Sequence, residues 1–230
     1  MDTTNIFDEW PKKYDQWFET PIGKLVKKYE NTLIFEMLKP KGGEKILDAG
    51  CGTGIFTDDV LETGAQVLGL ELSMPMVIGA KKRRMEYPLY LIQGDMRALP
   101  FDENTFDKTF SVTAVEFIED ARGAINELFR VTRPGGCIVV ATLNRLSPWA
   151  SRRAKAAKKG HPIFKHVLFR SPEDMLALVS SAGVFKTAVH FQKDDDPEEA
   201  EATECACQNK GLLTGAFLVV RWIKPNPVKP

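Results

Sequence analysis

No stretch of this chain approaches the roughly 20 consecutive apolar residues that a membrane-spanning helix requires, so no membrane role is expected. An excess of charge is missing as well. Lys+Arg and Asp+Glu both number 31 among 230 residues, which leaves a formal net charge of zero. No global field draws such a protein to nucleic acid or to an acidic lipid surface, and a polyanionic partner is disfavoured. Cysteine is scarce: Cys51, Cys137, Cys205 and Cys207 are the whole set, without an even framework of spacings. A disulfide-stapled scaffold is thereby excluded, and reduced thiols in a cytoplasmic protein are the expectation. Cys205-Ala206-Cys207 has only acids as neighbours and no second CxxC, so no metal site is expected. The opening MDTTNIFDEWPKKYD has early acids, a proline and no apolar run, the opposite of a secretory or transit peptide. Internal repeats are lacking too, and nothing in the sequence bears on oligomeric state.

What is present is an α/β rhythm. KILDAG (45–50) reads as a strand into a glycine turn, and IFTDDVLETG (55–64) as a helix ending at glycine. AQVLGLEL (65–72) is a second strand. A helix follows over 73–87, opened by Ser73 and Pro75. LYLIQGD (89–95) and FDKTFSV (106–112) are the third and fourth strands. The apolar spacing of 121–136 predicts a helix stopped by Pro134 and Gly135-Gly136, before the fully apolar fifth strand CIVVATL (137–143). SPEDMLALVSSAG (171–183) opens as a helix, and 183–193 and 215–224 read as a final antiparallel pair. Repeated strand–helix alternation predicts a doubly wound, mostly parallel seven-stranded α/β sheet with an antiparallel last strand. Residues 1–40 read as a helical N-terminal cap, 41–143 as the core, 144–170 as a polar, basic insertion and 171–230 as the rest of the sheet. Residues 194–211, DDDPEEAEATECACQNKG, are acidic and proline-bearing, and read as a mobile excursion.

The turn after the first strand is Gly50-x-Gly52-x-Gly54, and Asp48 stands just before it. A dinucleotide fingerprint would read GxGxxG and cradle a pyrophosphate. A carboxylate at Asp48 repels a diphosphate and attracts a cation such as an α-ammonium. A nicotinamide oxidoreductase is disfavoured on both counts. A nucleoside with a cationic amino-acid tail, S-adenosylmethionine, fits instead. Glu71 ends the second strand, where a carboxylate can take both ribose hydroxyls. Asp95 ends the third and can accept from an adenine amine. Three acids at three successive strand ends, each matched to one ligand, make a specific pattern.

ILDAGCGTG, GLELS, GDMRALPF, FDKTFSVTAVEFIED and LFRVTRPGG resemble, in order and spacing, the class I S-adenosylmethionine-dependent methyltransferases, most of all their small-molecule branch. The resemblance implies that Asp48, Gly50, Cys51, Gly52 and Gly54 surround the methionine moiety. Glu71 would bind ribose, Leu72 and Met76 would pack on adenine, and Asp95 with Met96 would fix its edge. Thr113 would lie by the methionine tail, and Tyr14 and Trp17 would close the site from the cap. The chain departs from the family pattern at 144–170 and 194–211, where substrate choice is expected.

The expected activity is methyl transfer to a small-molecule acceptor, the alternative being a non-catalytic module that binds the same cofactor. After the fourth strand stands Val112-Thr113-Ala114-Val115 rather than Asn-Pro-Pro-Tyr, and no Pro-Cys nucleophile occurs there. Both nucleobase routes that use those motifs are disfavoured. Trp17, Phe117 and Trp149 are the candidate substrate-pocket residues. Any base is sought among His161, His166 and Tyr14; His190, mid-strand, reads as structural. KKRR (81–84) reads as a solvated helical face rather than a nucleic-acid patch, and RRAKAAKKG (152–160) as a solvated helical lid, the alternative being anion recognition.

Overall fold

The strands are Lys45–Ala49 (β1), Gln66–Glu71 (β2), Tyr90–Gln93 (β3), Phe106–Val112 (β4), Thr132–Leu143 (β5), Gly183–Ala188 (β6) and Phe217–Ile223 (β7). They form one sheet in the order β3-β2-β1-β4-β5-β7-β6. The structure, a computed structural model, describes residues 6–8, 10–83 and 89–227. β1 pairs in parallel with β2 and β4, β2 with β3 and β4 with β5, while β7 runs antiparallel to β5 and β6. The expected architecture is therefore found, down to the single reversed strand. The helices are Pro11–Glu19 (α1), Pro21–Leu38 (α2), Thr57–Leu61 (α3), Met74–Arg83 (α4), Ala121–Val131 (α5), Pro148–Lys158 (α6), Pro172–Leu176 (α7) and Pro197–Asn209 (α8).

Adjacent strand residues point to opposite faces, and both faces are covered. Ile46, Phe110, Val139 and Phe217 pack with Ile22, Val26 and Ile34 of α2. Leu47, Ile138, Val140 and Trp222 pack with Ile125 and Leu128 of α5. Most of these side chains are wholly buried, each contributing about 1.5–3 kcal/mol of transfer free energy. Among the described residues no helix is long and apolar enough to cross a membrane.

Several expectations need correction. The acidic stretch 194–211 holds a helix rather than a loop: Asp196 caps α8 by accepting from the Glu198 N–H, Pro197 occupies its first turn, and Glu198 and Glu199 complement the helix dipole. Ala200 and Glu204 on its inner side are fully buried. α5 stops at Val131, and the Arg133-Pro134-Gly135-Gly136 stretch forms the irregular start of β5, with Gly135 at φ +74. Thr132 draws the chain into the sheet, since its hydroxyl bonds the Leu128 carbonyl and meets the Thr109 hydroxyl. The second-strand helix runs from Met74 to Arg83, and the rest of the stretch expected to be helical, 84–87, lies outside the described residues, as does the last arginine of KKRR. α3 and α7 are single short turns, five residues each, because glycine and serine break the pattern around them.

Candidate functional site

The carboxyl ends of β1, β2 and β4 open into a cavity of about 830 Å³, roofed by the N-terminal segment. At such an edge the strands end and the backbone turns away, leaving a crevice. Asp48, the fourth residue of β1, is buried, and its Oδ2 accepts from the Thr57 hydroxyl at 2.6 Å. The turn beyond it needs glycine: Gly50 and Gly52 hold φ of +79 and +55. A Cβ on Gly50 would come within 2.6 Å of the Ala114 methyl, whereas one on Gly52 would enter open space. The Gly52 backbone is thus bared to the cavity. Gly54 is not on the wall; at φ +78 it turns the chain into α3, its carbonyl accepting from Asp58.

Glu71 closes β2 with both oxygens anchored, Oε2 by the Gly52 N–H at 3.0 Å and Oε1 by the Ser73 N–H at 2.8 Å. Burial pushes its carboxyl up, against the pull of these backbone donors. Burial also pushes Asp48 up to about 7, opposed by the Thr57 hydroxyl and reinforced by the Glu71 charge. No cationic side chain among the described residues offsets either carboxylate. The pair is set to receive a cation or a set of hydrogen-bond donors.

The other wall residues expected from the sequence are also here. Cys51, Leu72, Met76, Asp95, Met96, Thr113 and Tyr14 all line this cavity. Met76 and Met96 are buried, while Leu72 stands half exposed as an apolar flap. Asp95 is engaged more fully than expected: the Arg97 guanidinium bonds both its oxygens and holds its carboxyl below the usual range. An arginine two residues on was not read as its partner. Thr113 sits at φ +48, a left-handed conformation that costs a β-branched residue energy and marks the β4 end as strained. Its side chain meets the Tyr14 hydroxyl, which burial keeps protonated.

A second cavity of about 480 Å³ adjoins the first, the two sharing Tyr14, Thr113 and Phe117 in their walls. Trp17, Trp149 and His161, all three sought on the substrate side, line it. His166 does not; it stands exposed at the end of the short turn Phe164–His166. His161 accepts from the Ile163 and Phe164 N–H groups at Nδ1 and stacks on the Phe164 ring, which turns it into a turn-closing group. Glu30, Glu116 and Arg153 are among the lining residues that escaped the sequence reading. Glu30 carried a legible signal, because it falls in step with Ile22 and Val26 on the buried stripe of α2. Arg153 shows that the basic run of α6 is not all solvated.

Residues 47–140 match the family of methyltransferase domains. Over 110 residues the chain is 36% identical to the malonyl-[acyl-carrier protein] O-methyltransferase of Salmonella typhimurium, covering 48% of this chain and 43% of that protein. It is 30% identical over 149 residues to the demethylmenaquinone methyltransferase of Beutenbergia cavernae, covering 65% and 60%. The chain thus spans between two fifths and three fifths of the first curated relatives it matches. Among solved structures, a SAM-dependent methyltransferase from Thermotoga maritima superposes with a TM-score of 0.70 at 23% identity, over 95% of this chain and 98% of that one. A phosphoethanolamine N-methyltransferase of Haemonchus contortus, in complex with S-adenosyl-L-methionine, superposes at 0.64 with 14% identity, over 97% and 60%. At such identities the likeness concerns the fold.

Proposed function

We propose that this chain carries a class I S-adenosylmethionine-dependent methyltransferase domain and is an enzyme that methylates a small molecule at an O, N, S or C atom. The observation that carries this reading is the set Asp48, Glu71 and Asp95, three carboxylates around one cavity beside the bared Gly52 backbone. The residues present fit the methyl donor. Asp48 faces the α-ammonium, Glu71 the ribose hydroxyls, and Asp95 with the Met96 backbone the adenine edge. Leu72 and Met76 supply apolar faces for the ring. Bound there, the sulfonium supplies a methyl group already activated for transfer. What remains for the protein is to align an acceptor and exclude water, which Tyr14, Thr113 and the aromatic second cavity suit. The cap (1–40), donor core (41–143), insertion (144–170) and remaining sheet (171–230) act as one unit in this proposal. The four free cysteines suit a cytoplasmic setting. Labelled methyl transferred from the donor to a small molecule of a cell extract tests the proposal; donor binding with no transfer in any extract would favour the non-catalytic alternative.

The buried acid at Asp48 makes donor affinity pH-dependent. An ammonium binds the ionised carboxylate, so affinity is full above the Asp48 pKa of about 7 and falls as pH drops through it. Calorimetry with S-adenosylhomocysteine should show a loss approaching tenfold per pH unit below that point. A flat profile between about pH 5.5 and 8 would remove Asp48 from the ammonium contact.

The cap is tied to the donor loop. Asp15 accepts from the Thr53 hydroxyl at 2.6 Å and pairs with Arg83, whose Nε also bonds the Thr53 carbonyl. Thr53 lies inside the glycine turn, so this tie couples cap closure to donor retention. Asp15→Ala removes a partly exposed pair worth about 1 kcal/mol. Donor release, followed by stopped-flow fluorescence of the cap tryptophans, should quicken roughly fivefold. An unchanged release rate would separate the cap from donor retention.

A further inference from the structure

The second cavity has a polar end that the proposed donor site does not use. Glu116 is fully buried; its Oε2 accepts from the Thr142 hydroxyl at 3.1 Å, while its Oε1 is shut off from solvent with no partner among the described residues. Glu30, only 8% exposed, stands in the same wall from α2. Arg153 reaches in from α6, near enough to attract both carboxylates, yet forms an ion pair with neither among the described residues. Its guanidinium lies near the Trp149 ring at 5.0 Å and the Phe164 ring at 5.7 Å, and its Nη1 is buried without a partner among the described residues. The remaining cations of the lining sit at the rim and are engaged: Arg152 pairs with Asp194, Lys193 lies over Trp17 and Lys13 over Trp10. Arg170, bonded to the Val115 and Ile118 carbonyls, is a second cation near Glu116. The enclosed end thus holds the Glu30 and Glu116 carboxyls, the latter with an unpartnered oxygen, inside aromatic walls.

We infer that this cavity takes the methyl acceptor as an amine on an aromatic or other apolar body, with the nitrogen held at the Glu30–Glu116 end. The inference rests on the proposed donor site, whose cavity meets this one at Tyr14, Thr113 and Phe117. An ammonium donates to the unpartnered Glu116 oxygen, beside Glu30 in the same wall. Trp17, Phe117 and Trp149 bury the apolar body. Burial raises Glu30 to about 8 and Glu116 to about 7, so these carboxylates exchange protons in the neutral range. That is what amine methylation asks of its surroundings. The bound ammonium first gives a proton to a carboxylate. The freed nitrogen lone pair then forms the new bond to the methyl carbon as the carbon–sulfur bond breaks, its electron pair staying on sulfur. The N-methylammonium product keeps its remaining N–H protons, and the proton taken by the carboxylate passes to solvent on product release.

Arg153 could instead seat a carboxylate, and matched probes distinguish the two. Binding of 2-phenylethylamine, 2-phenylethanol and 3-phenylpropionate is measured by calorimetry on the full chain saturated with S-adenosylhomocysteine, after binding of that donor product has itself been measured. The amine should bind at least tenfold more tightly than either analogue, and Glu30→Gln and Glu116→Gln should each weaken it about tenfold or more. Both variants should still bind S-adenosylhomocysteine as wild type does, which reports that they fold. Tighter binding of 3-phenylpropionate, lost in Arg153→Met, would overturn the inference in favour of a carboxylate acceptor. Equal binding of all three, or of none, with S-adenosylhomocysteine bound normally, would overturn it while the donor site stands. Failure of S-adenosylhomocysteine to bind wild type would overturn both.

Discussion

Glu71→Ala is expected to weaken S-adenosylhomocysteine binding by about 3 kcal/mol, a factor of roughly 150 in dissociation constant. The effect is large because one carboxylate does two jobs. It is placed to accept from the ribose hydroxyls, and it already accepts from the Gly52 and Ser73 N–H groups at 3.0 and 2.8 Å. Alanine removes the charge-assisted bonds to the ligand and also frees the glycine turn from the end of β2. Gln at the same position keeps the shape and one accepting oxygen, and should fall between wild type and Ala. Because Glu71 lies at the cavity wall rather than in either apolar core, the loss should appear as donor affinity rather than as global unfolding. A thermal melt alongside the calorimetry checks this. Wild-type affinity in Glu71→Ala would mean that the ribose lies elsewhere.

Glu204→Ala should cost about 3–5 kcal/mol of folding stability, lowering the melting temperature by on the order of 10 °C. Glu204 is fully buried on α8, and its carboxylate gathers the Val189 N–H at 3.0 Å, the His190 N–H at 2.5 Å and His190 Nδ1 at 3.2 Å. Val189 is held at φ +65, a strained conformation for a β-branched residue, and Glu204 is what ties it down. Alanine would leave two backbone donors buried without partners and the histidine without its acid. The pair also sets a pH window. Burial alone would raise the Glu204 carboxyl, but the His190 hydrogen bonds outweigh it and hold the value below the ordinary one. Burial alone would lower His190, and Glu204 with the Leu212 carbonyl raises it instead. The glutamate's contribution is present above the ordinary carboxylate range and is lost as pH falls. The histidine's is present below the ordinary imidazole value and is lost as pH rises. Their joint stabilisation therefore peaks between about pH 4.5 and 6.5, and Glu204→Ala should flatten the stability profile there. A melting point within 2 °C of wild type would show that α8 is anchored by its other contacts.

Much of the core site was legible because local chemistry and topology agree there. A short apolar strand with Asp48 near its end, followed by glycines, admits few conformations, and the next strand end places Glu71 beside them. Where reading by composition replaced reading by position, it went astray. The acids of 196–199 look like a solvated tract, but Asp196-Pro197-Glu198-Glu199 is a helix start, with cap, fixed φ and dipole-matched charge. Arg153 looks like one more charge of a basic face, and only the packing of α6 turns it inward against Trp149. Glu116 gave no signal at all: its burial depends on β5 supplying Thr142 from 26 residues away. Glu30 could have been found, since a charge in register with an apolar stripe is either an error of pattern or a site.

The measurement that bears most directly on the central claim is a calorimetric titration of the full chain with S-adenosylmethionine, S-adenosylhomocysteine and NAD in turn, at pH 8, where Asp48 is ionised. One-to-one binding of both sulfur nucleosides with no heat from NAD is the expected result. Saturable binding of NAD with no response to either sulfur nucleoside would contradict the donor site built around Asp48 and Glu71.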